Sequence, residues 1–303
     1  MKNNSSEIKK IGRVVLIGRP NTGKSTLLNA IMSQKVAITS PLPQTTRKNC
    51  RVVYSDERGK IIFSDTPGII GKVDDLIGKR INQEAPKELN QADLILMIVD
   101  ISRPKNEEEN KVIGLIRKIK TKKILVYNKI DIAKDSKDHL PEYNYLEEEF
   151  DKTIGVSAIK EKNVKGLINL IFELLPNKKN KETLHNIELL DSGNKPKMGI
   201  NSKEYVQEII REKIYLFLRE EVPYSIEVRV DQIVDKRKLI LIKATILTTA
   251  ERYKKMIIGK GGKKIKEIGY NTRKELELMS GRKIFLELIV ELDKHWPERE
   301  VEN

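Results

Sequence analysis

Cysteine is almost missing from this chain. Cys50 is the only one in 303 residues, so no internal disulfide can form and a reducing compartment is expected. Histidine is nearly as scarce. His139, His185 and His295 stand far apart with no nucleophile or carboxylate patterned around them, which argues against a Ser-His-Asp or Cys-His hydrolase. No Cys/His spacing suits zinc. No run approaches the roughly 20 apolar residues of a membrane span. The opening Met1-Lys2-Asn3-Asn4-Ser5-Ser6 lacks the apolar stretch of a signal peptide. A soluble protein is expected, with peripheral contact to a membrane left open.

What is abundant is charge and one glycine-rich signature. Gly18-Arg19-Pro20-Asn21-Thr22-Gly23-Lys24-Ser25-Thr26 follows directly on the β-branched run Val14-Val15-Leu16-Ile17. This is G-x-x-x-x-G-K-S/T between a predicted strand and a predicted helix, the context that makes it a phosphate-binding loop. Gly18 and Gly23 are expected to adopt backbone angles that a side chain would forbid. The loop then wraps phosphate with its N–H groups, backed by the positive end of the next helix. Lys24 is expected to reach the β- and γ-phosphates, and the Ser25 hydroxyl to hold Mg2+.

Lys and Arg number 58 against 44 Asp and Glu, a net charge of +14. That balance favours a polyanionic partner, nucleic acid or an acidic membrane surface. The length suits about two domains. From residue 11 to 176, short apolar runs (Val14–Ile17, Ile61–Phe63, Leu94–Val99, Ile124–Tyr127, Thr153–Val156) alternate with helical patterns at 24–33, 76–91, 106–120, 137–149 and 163–174. Such alternation predicts an α/β fold, a mostly parallel sheet with helices on both faces. Cys50–Tyr54 offers an extra strand in a hairpin with Ile61–Phe63. Residues 177–203 read as a linker, with a short helix around Leu184–Leu190. A second unit, 204–296, follows the order helix, strand, strand, helix, helix, strand, with the turn Asp235-Lys236-Arg237 between its first two strands.

Further signatures fall at strand ends, where ligands sit in such sheets. Asp65-Thr66-Pro67-Gly68 ends the Ile61–Phe63 strand; Asp65 is expected to orient Mg2+ through a water, and the Gly68 N–H to face the γ-phosphate. Thr45 and Thr46 lie between this motif and the phosphate loop, and Thr46 is the candidate that closes over Mg2+. Asn128-Lys129-Ile130-Asp131 ends the Ile124–Tyr127 strand. A fixed carboxylate at Asp131 accepts from both the ring N–H and the exocyclic amine of guanine, a donor pair that adenine lacks. Asn128 and the Lys129 stem brace and flank the base. Ser157-Ala158 is expected to present a backbone N–H to the guanine oxygen. After Gly68 stands Ile69, where many signalling GTPases carry a water-orienting glutamine, so either slow intrinsic hydrolysis or another water-orienting group is expected.

The second unit carries Ile257-Ile258-Gly259-Lys260-Gly261-Gly262-Lys263-Lys264-Ile265, a G-x-x-G loop between two helices. KH modules clamp about four nucleotides of single-stranded nucleic acid with such a loop. Between Glu251 and Lys283 there are eleven Lys and Arg against four Glu, so the positive excess concentrates here. A second nucleotide phosphate loop is the competing reading, but no strand immediately precedes it. Trp296 is read as packing near the end of the unit, with stacking on a base as the alternative.

Together these residues resemble the Era family, bacterial GTPases with a C-terminal KH domain. The likeness runs from about Ile11 to Trp296. In the first half it rests on Gly18–Thr26, Pro43-Gln44-Thr45-Thr46-Arg47, Asp65–Gly68, Asn128–Asp131 and Ser157-Ala158. In the second half it rests on Glu208-Ile209-Ile210-Arg211-Glu212-Lys213, Glu221-Val222-Pro223-Tyr224-Ser225 and Ile258–Gly262. The resemblance implies a P-loop GTPase fold followed by a type II KH domain, and hydrolysis of GTP to GDP and phosphate. It implies binding near the 3′ end of the small-subunit (16S) rRNA and a role in assembling the 30S subunit. A cytoplasmic monomer with some peripheral attachment to the inner membrane is expected. The implied catalytic set is Lys24, Thr46, Gly68 and Asn21, the last through a potassium ion that stands in for an arginine finger. Thr22 departs from the valine usual in the family, and Ile70 from a more polar residue.

Overall fold

The structure, a computed structural model, describes residues 10–39, 50–66, 85–132, 139–177, 203–218 and 222–302. Thr45, Thr46, Pro67, Gly68, Ile69, the proposed helix at Leu184–Leu190, and all of the 177–203 linker but its end residues lie outside these. The chain divides into two units, Met1–Ala37 with Thr46–Pro196, and Ile38–Thr45 with Lys197–Asn303.

The first unit is a six-stranded sheet in the order β2-β3-β1-β4-β5-β6. Its strands are β1 Lys10–Ile17, β2 Cys50–Asp56, β3 Gly59–Asp65, β4 Leu94–Asp100, β5 Lys123–Asn128 and β6 Lys152–Gly155. β2 runs antiparallel to β3 as the predicted hairpin; every other pairing is parallel. Val14 to Ile17 and Leu94 to Val99 are fully buried, as continuous apolar strands covered on both faces must be. β1 lies between β3 and β4, so the chain leaves it first to one side and then to the other. A crevice opens at the carboxyl end of a strand where the order reverses in this way, and Gly18 begins there.

Among the described residues, this unit's helices are α1 Lys24–Met32, α2 Glu107–Arg117 and α3 Val164–Leu174, with residues 85–90 also helical. The Asn106 side chain caps α2 by accepting from the Glu109 N–H, and Glu107, Glu108 and Glu109 fill its first turn, where the helix dipole favours negative charge. The 137–149 pattern does not make an α-helix: Leu140–Glu149 is a 3-10 helix. Its buried residues, Tyr143 and Leu146, are three apart, and a three-residue turn puts both on one face.

The second unit runs α4 Lys203–Phe217, a 3-10 turn Val222–Ser225, β7 Ile226–Lys236, β8 Leu239–Thr248, α5 Glu251–Ile258, a 3-10 turn Lys260–Gly262, α6 Lys263–Ser280, β9 Lys283–Leu292 and α7 Trp296–Glu302. β7 and β8 are antiparallel; β8 and β9 are parallel, joined by the crossover through α5 and α6. The reversal after β7 falls at Arg237-Lys238, two residues later than the expected start. Ile209, Ile210 and Ile214 of α4, Ile242 and Ile246 of β8 and Ile268 of α6 form the core, and Ile38 joins it. Trp296 is 3% exposed, so it packs and is not offered to a base. The helix it begins was not expected from the sequence.

Candidate functional site

The phosphate loop owes its shape to the two glycines, for different reasons. Gly23 has φ +92°, and a Cβ there would meet the Asn128 amide nitrogen at 2.3 Å. Gly18 is not at positive φ, contrary to the expectation for it. A Cβ at Gly18 would instead lie 2.4 Å from the Ile98 carbonyl oxygen, so the requirement is close backbone approach. The loop then opens α1 with Gly23 as its N-cap. Lys24 is buried, and its ammonium donates to the carbonyls of Gly18 (3.1 Å) and Arg19 (2.8 Å). Burial lowers its pKa to about 8, against the raising effect of Asp65 and Glu108. A desolvated ammonium at the mouth of a helix gains most from a phosphate dianion.

Arg19 points the other way. It is 4% exposed, donates to the Pro104 carbonyl at 3.1 Å and pairs with fully buried Glu109 at 3.4 Å. It therefore fastens the back of the loop to the start of α2 and contributes backbone alone to the front. Pro20 and Asn21 form the loop's outer turn, where Asn21 takes φ +62°. The buried Thr22 hydroxyl donates to the Arg19 carbonyl at 3.1 Å, so threonine in place of valine here is a satisfied residue. Thr26 sits in the first turn of α1.

Ser25 and Asp65 meet. The Ser25 hydroxyl donates to Asp65 Oδ2 at 2.5 Å. Asp65 is fully buried, and its Oδ1 has no hydrogen-bond partner among the described residues. Burial raises its pKa to about 6, against the lowering effects of Lys24 and the Ser25 hydrogen bond. A buried orphan carboxylate oxygen beside a hydroxyl, at the C-terminal end of β3, fits a hydrated Mg2+ that also touches phosphate. Thr66 is held behind it, its hydroxyl donating to the Leu16 carbonyl at 2.7 Å. Among the described residues, no cluster of three or more His, Cys, Asp or Glu makes a separate metal centre.

Asn128 ties three motifs together. Its side-chain amide donates to the Thr22 carbonyl at 2.8 Å, and its Oδ1 accepts from the N–H groups of Lys129 (2.8 Å) and Ala158 (3.1 Å). Lys129 is thereby turned to φ +67°. Ile130 packs under Gly155, and its N–H donates to the Val156 carbonyl at 3.3 Å. Asp131 follows with its Oδ1 buried and without a partner, the state of an acceptor awaiting a donor pair. The Ser157 N–H goes to the Lys162 carbonyl at 3.1 Å and the Ala158 N–H goes to Asn128. In this structure that pair braces the base loop. The Lys129 ammonium is held by Asp100, a residue that the sequence reading missed because no motif marks it.

In the second unit the G-x-x-G loop stands between α5 and α6 as expected. Gly259, Gly261 and Gly262 have φ of +71°, +60° and +74°. Added Cβ atoms at Gly261 and Gly262 would meet nothing within 4 Å, so that surface is open to a close-approaching backbone. Ile258 is half-buried at the loop entrance; Lys260 and Lys263 are exposed, while Lys264 pairs with Glu267 at 2.9 Å. Beside the loop runs a groove of about 400 Å3 between Ile265, Lys266, Gly269, Tyr270 and Arg273 of α6 and Leu286 and Leu288 of β9. Its apolar floor and basic rim suit splayed bases and their phosphates. A sequence signal that could have pointed to it is Gly269, a glycine inside a helix, which costs about 1 kcal/mol relative to alanine; an added Cβ there would make only ordinary contact with Leu288, at 3.5 Å.

These two sites define a P-loop GTPase joined to a KH RNA-binding module. The comparisons with known proteins agree. The family model described as "50S ribosome-binding GTPase" matches residues 13–129, and the one described as "KH domain" matches residues 221–297. GTPase Era of Borreliella burgdorferi strain ZS7 is 37% identical over 294 residues, spanning 95% of this chain and 96% of its own. GTPase Era of Alkaliphilus oremlandii is 36% identical, spanning 96% of each chain. Among solved structures, a variant of Aquifex aeolicus Era bound to GDP·AlF4− superposes with a TM-score of 0.85 at 33% identity, covering 96% of this chain and 97% of that one. Era in complex with MgGDPNP and nucleotides 1506–1542 of 16S ribosomal RNA matches with the same score and coverage. The chain belongs to the Era family of GTPases, and it hydrolyses GTP.

Proposed function

We propose that this GTPase is a nucleotide-controlled rRNA-binding factor that assists assembly of the 30S ribosomal subunit. It would grip 16S rRNA near its 3′ end with the G-x-x-G loop, Ile258 to Lys264, and the groove beside it. The observation that carries the reading is a conjunction: two orphaned buried carboxylate oxygens, at Asp65 and Asp131, on either side of a phosphate loop, in a chain that also carries an open, basic glycine clamp. The Era relative solved with MgGDPNP and 16S rRNA nucleotides supports both halves. The functional units are 11–176 for GTP and 204–296 for RNA, with 177–203 between them.

In the proposed mechanism Lys24 and the loop N–H groups bind and orient the β- and γ-phosphates. Ser25, Thr46 and Asp65 hold Mg2+, which when bound neutralises phosphate charge. Asp131 selects guanine, Asn128 fixes the base loop to the phosphate loop, and Gly68 presents its N–H to the γ-phosphate. The Ile69 side chain has no group to orient water, so the intrinsic rate is slow. Asn21 would hold K+ in place of an arginine finger; replacing K+ by Na+ should slow single-turnover hydrolysis, and equal rates would remove potassium from the account.

RNA affinity measured with a GTP analogue and with GDP tests the switch: the proposal expects a difference, and equal affinities reject it. Residence is proposed as cytoplasmic, as a monomer, with a peripheral visit to the inner membrane by way of the basic face. Among the described residues, no helix is long and apolar enough to cross a membrane. Pelleting with anionic vesicles, with and without RNA competitor, tests the peripheral visit.

A further inference from the structure

Asp100 ends β4, directly opposite Asn128 in the register of β4 and β5. It is fully buried. Its Oδ2 accepts from the Lys129 ammonium at 2.6 Å and from Arg103 Nε at 2.7 Å. Its Oδ1 accepts from the N–H (3.0 Å) and the hydroxyl (2.5 Å) of Ser102. Burial pushes its pKa up, yet the hydrogen bonds from Lys129 and Ser102 and the charges of Lys129 and Arg103 outweigh that and leave the carboxyl below its ordinary range. Arg103 then extends to the phosphate loop, with Nη2 3.4 Å from the Asn21 carbonyl.

Lys129 is the residue that needs such a partner. It sits at φ +67°, a conformation costly for a side chain with a Cβ, and carries four rotatable bonds. An ammonium left to solvent would let the stem sample many rotamers, few of them flat against a base. A buried anion at its tip pins both ends of the side chain. We propose that Asp100 is a positioning residue for guanine recognition: it anchors the Lys129 ammonium so that the stem forms a fixed wall of the base site, and through Arg103 it registers that wall to the phosphate loop. Asn128 makes the second tie, to the Thr22 carbonyl at 2.8 Å, so base loop and phosphate loop are joined on both sides. The inference rests on the reading that Lys129 flanks the base.

The test is a double-mutant cycle on the full chain, reading affinity and off-rate of a fluorescent GDP analogue alongside thermal melts. Asp100→Asn keeps the shape and removes the charge. It should weaken binding about tenfold, the worth of a charge-assisted hydrogen bond, mostly through a faster off-rate. Lys129→Met should do the same. The pair together should be no more than about twofold worse than Lys129→Met alone, because both changes remove one interaction. A purely structural role for Asp100 as the cap of the 100–103 turn would keep its full effect in the Lys129→Met background, and that result overturns the proposal. Arg103→Met is a second probe that spares the buried carboxylate; about a threefold loss is expected, again only when Lys129 is present. Wild-type affinity in both Asp100→Asn and Arg103→Met rejects the inference alone, provided Lys129→Met is weakened. Wild-type affinity in Lys129→Met rejects the base-site reading and the inference together.

Discussion

The two binding regions solve opposite problems. The proposed nucleotide site is made of buried polar groups: Lys24, Asp65, Asn128 and Asp100 are all nearly or fully enclosed, and each is held by hydrogen bonds within the first unit. The proposed RNA site is made of exposed ones: Lys260, Lys263, Lys266 and Arg273 stand in solvent near Gly261 and Gly262, where an added Cβ would meet nothing within 4 Å. Burial multiplies the worth of each polar contact and of each error, which suits a small ligand read atom by atom. Exposure keeps each contact cheap and replaceable, which suits a polyanion held by many weak bonds. Selectivity in this chain is therefore concentrated at a few enclosed atoms, and avidity is spread over a surface.

The sharpest way to break that comparison is at Asp131. Asp131→Asn should cost about 3–4 kcal/mol, several hundredfold, in GDP affinity, because the carboxylate proposed to accept both guanine donors, with its Oδ1 already buried, is replaced by a mismatched amide. Xanthosine diphosphate should bind the variant better than GDP does. Equal loss of both nucleotides, read by calorimetry, would mean that Asp131 is structural. The next effect is in pH. The proposed Mg2+ site needs the ionised Asp65, whose pKa burial raises to about 6, so protons and Mg2+ would compete for it. Mg2+-dependent GDP affinity should be flat above that pH and fall by up to about tenfold per unit below it. Asp65→Asn should erase the pH dependence along with the Mg2+ dependence.

A matched pair of glycines sets the two loops side by side. Gly23→Ala meets both a φ of +92° and the Asn128 amide at 2.3 Å, and should weaken GDP binding about tenfold or more. Gly261→Ala meets only a φ of +60° and open space, so about 1 kcal/mol of local strain and under threefold in RNA affinity are expected. The smallest effects should come from Lys260→Ala and Lys263→Ala. Each should weaken RNA binding about threefold regardless of sequence and lower the salt slope by about 0.7 per lost phosphate contact. A sequence-dependent loss there would show that the loop reads bases.

Much of this was legible in the sequence, and the unequal legibility has a cause. Lys24, Ser25, Asp65, Asn128 and Asp131 sit in contiguous motifs at strand ends, so local spacing betrays them. The alternation of β-branched runs also announced the sheet, including the hairpin that adds β2. Asp100, Arg103 and the inward turn of Arg19 were invisible, because their roles exist only once β4 pairs with β5 and α2 packs behind the loop. The groove between α6 and β9 was missed for the same reason, since its two walls are about one helix apart in sequence. The 3-10 segment at Leu140–Glu149 read as an α-helix because i and i+3 burial fits both periods over so short a stretch. Gly18 was assigned the right residue for the wrong reason: a neighbouring carbonyl and not its own torsion demands it.

The parallel pairing of β8 with β9 has a consequence for how RNA-binding competence is acquired. The glycine clamp lies midway along the link between two strands that must register side by side, so α6 lacks the β9 wall of its packing and of the groove until the final strand arrives. A nascent chain would therefore hold a finished nucleotide pocket well before its RNA grip exists. Deleting from Lys283 onward should abolish RNA retention while GDP still binds, although every lysine of the clamp remains.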